Sequence, residues 1–79
     1  MVPSGHMIAL FNDDQPGMVG RVGSVLGESE VNIDEMVIGH SDKDGLAMMV
    51  IKLGAPATGE LLDSLSSIEG VSKVASAEI

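Results

Sequence analysis

At 79 residues the chain has room for one domain and one core, and a chain this short buries only about 60% of the surface it exposes when unfolded. Phe11 is its single aromatic residue and it has no cysteine, which excludes disulfides, thiolate nucleophiles and zinc–sulfur sites and fits a reducing cytoplasm. Four basic residues against twelve acidic ones give a net charge of −8, and Arg21, Lys43, Lys52 and Lys73 are too scattered to form a basic stripe, so neither nucleic acid nor an anionic membrane is expected as a partner.

The opening MVPSGHM has neither the charged nor the apolar region of a signal peptide, and no apolar run approaches the ~20 residues that span a bilayer. Met1 to Gly5 is set aside as a leader or linker, leaving residues 6–79 as the domain. HMIALFN (His6 to Asn12) is apolar at five consecutive positions and reads as a strand buried on both faces. Asp13 to Pro16 is a turn, and from Met18 the apolar residues Met18, Val22, Val25 and Leu26 share one helical face. Pro16 suits the first turn of that helix, Asp13, Asp14 or Gln15 can cap it, and its end is expected near Glu28 to Glu30.

VNIDEMVIGH (Val31 to His40) alternates imperfectly and reads as a bulged edge strand, followed by a hairpin turn at SDKDG. LAMMVIKL (Leu46 to Leu53) is again apolar on both faces. Thr58 caps a second helix with Leu61, Leu62 and Leu65 on its inner face, Gly70 serves as its C-cap, and Val71 to Ile79 forms the last strand. The order β-α-β-β-α-β predicts an α+β fold, a ferredoxin-like two-layer sandwich. Its four-stranded antiparallel sheet has strands one and three at the centre and both helices on one face. The helix-free face then receives some of Ile8, Leu10, Leu46 and Met48, and a partner sheet or domain is expected to cover it.

No catalytic constellation emerges. The serines have only His6 and His40 as bases, each at a strand end, and both read as surface histidines. Asp42-Lys43-Asp44-Gly45 opens like a calcium loop, but its twelfth position is Leu53, so no metal site is expected. What remains is the first turn and the helix after it, which carries Gly20, Gly23 and Gly27 at about 1 kcal/mol each against alanine. Either the helix packs closely on a neighbour, or a small ligand or second subunit approaches its backbone near Gly17 and Gly20. Free N–H groups at a helix N-terminus bind carboxylates, while Asp13, Asp14 and the Asn12 carbonyl offer acceptors for an ammonium. Asn32 can return to the same pocket from across an interface.

DQPGMVGRVGSVLGE followed by VNI strongly resembles the ACT domain, most of all the C-terminal regulatory ACT domains of D-3-phosphoglycerate dehydrogenase; GHM before the first strand and IEGV before the last add to the likeness, which spans His6 to Ile79. The resemblance implies a module without catalytic residues or cofactor, attached to the catalytic domains of a parent enzyme in serine biosynthesis. It further implies a homodimer joined through a sheet edge, with an amino acid effector, L-serine in that enzyme, held at the interface. Its effector-binding positions fall on Asn12, Asp14 and Asn32, beside the backbone of Gly17 and Met18. Asn32 matches the family's residue, whereas Asn12 and Asp14 stand where its best-known version has His and Asn. A ligand-free ACT assembly module and the regulatory domain of an L-serine dehydratase are the alternatives; a metal chaperone is disfavoured by the lack of a Cys-x-x-Cys pair.

Overall fold

The computed structural model describes residues 1–41 and 44–79. The elements are β1 (His6–Asp13), α1 (Met18–Glu28), β2 (Ile33–His40), β3 (Leu46–Leu53), α2 (Gly59–Ser66) and β4 (Val71–Glu78). Every strand pairs antiparallel in the sheet order β2-β3-β1-β4, so the two strands with apolar residues on both faces are the central ones, as the sequence predicts. Gly5, set aside with the leader, exchanges both backbone hydrogen bonds with Ile79 and extends the ladder by one pair.

One face of the sheet carries both helices. Ile8 and Leu10 of β1, with Met49, Ile51 and Leu53 of β3, lie beneath Met18, Val22 and Leu26 of α1 and Leu61 and Leu65 of α2. This corrects the expectation for Ile8 and Leu10: they join the core, and Met7, Ala9 and Phe11 take the helix-free face beside Met48 and Val50. The lysines settle that parity. Met7 pairs with Lys52 and Phe11 with Lys73, and both lysines must remain on the side away from the helices.

Three local expectations change. Gly17, in left-handed backbone at φ 88°, is the N-cap of α1, and no side chain caps that end; Asp13, Asp14 and Gln15 are used elsewhere, and Pro16 stands before the cap. Helix α2 stops at Ser66 with Ser67 as its C-cap, so Gly70 is the turn into β4 at φ 98°. Strand β2 begins at Ile33 rather than Val31, with a register shift between Ile33 and Glu35 that bears out the expected bulge on an edge strand. The Thr58 cap is as predicted, its Oγ1 accepting from the Leu61 N–H at 3.1 Å. In the β2–β3 turn Asp42 and Lys43 lie outside the described residues; the Ser41 N–H donates to the Leu46 carbonyl and Gly45 adopts φ 68°.

Candidate functional site

At the end of β1 the chain leaves the sheet between its two turns. The Asp13 N–H donates to the Gly70 carbonyl and the Asp14 N–H to the Gly45 carbonyl, each at 2.8 Å, so the loop into α1 is held from both sides. A register shift between Phe11 and Asn12 in the β1–β4 ladder adds twist there, a common device for aiming a side chain at a site. Asn12 is the one buried polar residue among those described, at 1% exposure. Its Nδ2 donates to the Asp13 carbonyl at 2.9 Å, and its Oδ1 has no donor.

Asn12 also lines a cavity of about 260 Å³, whose walls include Asp14, Gly17, Met18, Gly20 and His40. Its size suits a molecule smaller than a drug-like ligand. One wall is the start of α1. The first bond within that helix runs from the Arg21 N–H to the Gly17 carbonyl at 3.0 Å, so the N–H groups of Met18, Val19 and Gly20 have no partner inside it. With no acidic residue in the first turn, the positive end of the helix is uncompensated. Met18 presents only its backbone, since its side chain is 2% exposed and its sulfur lies against Gly70. The cavity lining also carries charge. Asp14 Oδ2 and His40 Nδ1 lie 2.8 Å apart, with Asp14 40% exposed and His40 59%. The residues around the cavity therefore combine backbone donors, a buried amide and a carboxylate, the kinds of group that complement a zwitterion.

Four of the five expected site residues meet here: Asn12, Asp14, Gly17 and Met18. Asn32 does not join them within one chain. It is exposed beyond the start of β2, its carbonyl accepting from the Gly54 N–H at 2.9 Å. Strand β2 runs from that point to His40, roughly 26 Å at 3.3 Å per residue. His40, a surface residue by its sequence alone, joins those four. Its signal was in the ladders, where Asn12 pairs with Ala47 and Ala47 with His40 across three strands. The other histidine, His6, hydrogen-bonds Glu78, and so each of the two turns to a carboxylate rather than to a serine.

Glycines 20, 23 and 27 are open. A Cβ built at any of them meets nothing within 4 Å, so close packing inside the monomer is not what holds these positions as glycine.

The family model described as "ACT domain" matches residues 6–70. The chain is 38% identical over 72 residues to D-3-phosphoglycerate dehydrogenase of Archaeoglobus fulgidus, covering 89% of this chain and 14% of that enzyme. It is 29% identical over 72 residues to the same enzyme of Bacillus subtilis, covering 91% and 14%. The chain thus spans about a seventh of the length of these relatives. Among solved structures, the ACT domain of GTP pyrophosphokinase from Chlorobium tepidum superposes with a TM-score of 0.70 at 21% identity, covering 96% of this chain and all of that one. The ligand-free regulatory subunit of aspartate kinase from Thermus thermophilus gives 0.73 at 22% identity, covering 94% and 50%; at such identities the likeness is one of fold. No helix among the described residues is long and apolar enough to cross a membrane.

Proposed function

Since the chain belongs to the ACT domain family, whose members are regulatory rather than catalytic modules, we propose that it senses a small amino acid, L-serine, where two copies meet, and through that contact regulates a D-3-phosphoglycerate dehydrogenase. The observation that carries this reading is Asn12, a buried residue whose Oδ1 has no donor and which lines a cavity that the N-terminus of α1 also walls. Leaving such a group unsatisfied costs about 1–3 kcal/mol, and a ligand ammonium or hydroxyl removes that cost.

In this reading the effector carboxylate takes the N–H groups of Met18, Val19 and Gly20, and its ammonium takes Asp14 and Asn12. Asn32 completes the site from the second copy. Support comes from the topology: β2 is an edge strand, and pairing it antiparallel with its own copy brings the Asn32 end of one strand to the His40 end of the other. A ligand held by both copies favours the quaternary arrangement that brings them together, with a coupling typically of 1–3 kcal/mol. The link to the dehydrogenase rests on the matched relatives.

A thermal-shift screen of the twenty amino acids tests the proposal. A ligand at 100 times its Kd stabilises by about 2.7 kcal/mol, so L-serine is expected to raise the melting temperature, and Asn32→Ala to remove the rise while leaving the ligand-free transition unchanged. One observation favours a second reading, a dimerisation module without effector: His40 already engages the Asp14 carboxylate. Absence of a shift with every amino acid would decide for it.

A further inference from the structure

The helix-free face of the sheet has the wrong composition for permanent contact with water. Its centre is Ala9, Phe11, Met48 and Val50, with Val37 on the β2 side, while Met7 on the same face is already buried within the chain. Phe11, the chain's single aromatic residue, is 39% exposed beside Met48, its β3 partner, also 39% exposed. In a chain of this size an aromatic ring would be expected in the core. Here it stands outside.

The charges of this face single out its occupant. The chain carries −8, yet the strands bring to this face only two acids, Asp13 and Glu35, and two bases, Lys52 and Lys73, with Asp44 at its border beside Phe11 and Met48. Lys52 and Glu35 pair at 3.6 Å. With Asp44 counted the face carries −1, while most of the excess of acid lies on the other surfaces, where two copies repel one another. Its extent is also sufficient. The molecule measures 33 × 26 × 17 Å, so its broadest side is of the order of the ~800 Å² per partner of a specific interface.

The relief of the face is self-complementary. Phe11 and Met48 stand beside a hollow of about 370 Å³ that Gly39 and Asp44 also line, and toward the His6 end of β1 lies a second hollow, of about 270 Å³, whose walls include Pro3, Ala9, Ala75 and Ala77. A two-fold axis in the plane of the sheet and perpendicular to its strands lays each end over the other, because it reverses position along the strands and preserves position across them. Phe11 of one copy then enters the alanine hollow of the second, and the reverse. We infer that this face binds a second copy of the same chain, sheet against sheet, in an isologous contact with Phe11 as its knob and the Ala9–Ala75–Ala77 hollow as its socket. The contact uses none of the residues of the candidate sensing site and is independent of the edge pairing through β2; where both form, the assembly is a tetramer.

The chain's lack of cysteine makes the test direct. Sedimentation equilibrium of the wild-type chain and of Phe11→Glu at equal concentration is expected to show the variant at half the wild-type mass, whether the starting assembly is a dimer or a tetramer. Equal masses would overturn the inference and leave the face to another domain. The second arm mixes Phe11→Cys chains with Ala77→Cys chains under mild oxidation. Within one chain these positions are separated by four residues along neighbouring strands, beyond disulfide reach. Disulfide dimers joining the two kinds of chain are expected; their absence, or dimers joining only like with like, would overturn the geometry. The L-serine thermal shift, read in Phe11→Glu, is expected to persist, so a failure here is distinguishable from a failure of amino acid sensing.

Discussion

Asn12 sits where a hydrophobic residue would be more stable, between the buried Leu10 and the end of the strand, with one amide oxygen unpaired. Its single bond, to the Asp13 carbonyl, is not indispensable to that carbonyl, which also accepts from the Gln15 N–H at 2.9 Å. Replacing Asn12 with Leu, similar in volume, is therefore expected to leave the ligand-free chain as stable or to stabilise it by about 1 kcal/mol, because it removes an unsatisfied buried group. The same substitution is expected to abolish any L-serine shift. Urea denaturation with and without L-serine reads both effects, and a variant destabilised by several kcal/mol would mean that Asn12 is a structural residue. Asp44 gives the residue-scale pH dependence. The Ser41 side chain and the Leu46 N–H hold its carboxyl below the usual aspartate range. A depressed folded-state pKa means that the turn gains from the charged form above the unfolded value and loses that gain as pH falls through the folded one. NMR titration is expected to show Asp44 among the last aspartates to protonate on acidification, and Asp44→Asn to remove that late step.

Among the elements, α1 raises the sharpest question. Most of its outline was legible: the spacing of Met18, Val22 and Leu26 gives the buried face, and these three are the buried residues of the helix. Its start was not. Asp13, Asp14 and Gln15 have cap-forming side chains, but the backbone bonds of Asp13 and Asp14 to the two flanking turns fix the loop, and Gly17 makes the entry at a positive φ. The face assignment of β1 was illegible for a different reason. Five apolar residues in a row contain no alternation, and only the partner strands with Lys52 and Lys73 decide which side is wet. The glycines of α1 divide by position. Gly23 and Gly27 meet nothing, so changing either to Ala is expected to stabilise by about 0.5–1 kcal/mol through helix propensity and a less flexible unfolded chain. Gly20→Ala is expected to give the same gain with a weaker L-serine shift, since its Cβ stands at the cavity wall. Gly70→Ala is expected to be destabilising, with φ at 98° and a Cβ 2.9 Å from Gln15 Nε2. Chemical denaturation of the four variants, with and without L-serine, checks the series. A stability loss at Gly27 would mean that another chain packs against it.

For the molecule as a whole, the governing quantity is the uneven distribution of its −8 charge. Two copies that approach in solution repel over their acidic surfaces, and this repulsion weakens as salt shortens the screening length from about 30 Å at 0.01 M to about 8 Å at 0.15 M. A contact through the nearly neutral sheet face has almost no attractive charge pairing to lose, because Lys52 and Glu35 already pair within one chain. Added salt thus removes the repulsion and leaves the apolar contact intact, and self-association is expected to strengthen across this range. An interface built from ion pairs between copies would respond in the opposite sense, since screening acts on its attraction as well. Sedimentation equilibrium at the two ionic strengths separates the cases. The Phe11→Glu chain serves as the control: with its face contact removed and an acid placed on each sheet, its mass is expected to stay low at 0.01 M and to recover little at 0.15 M. The sequence showed that the central strands have too much apolar surface for a two-layer fold, and the registers showed which residues carry that excess. Neither Phe11 nor the alanines of β4 signal association alone; they do so once antiparallel pairing places them on one nearly neutral face.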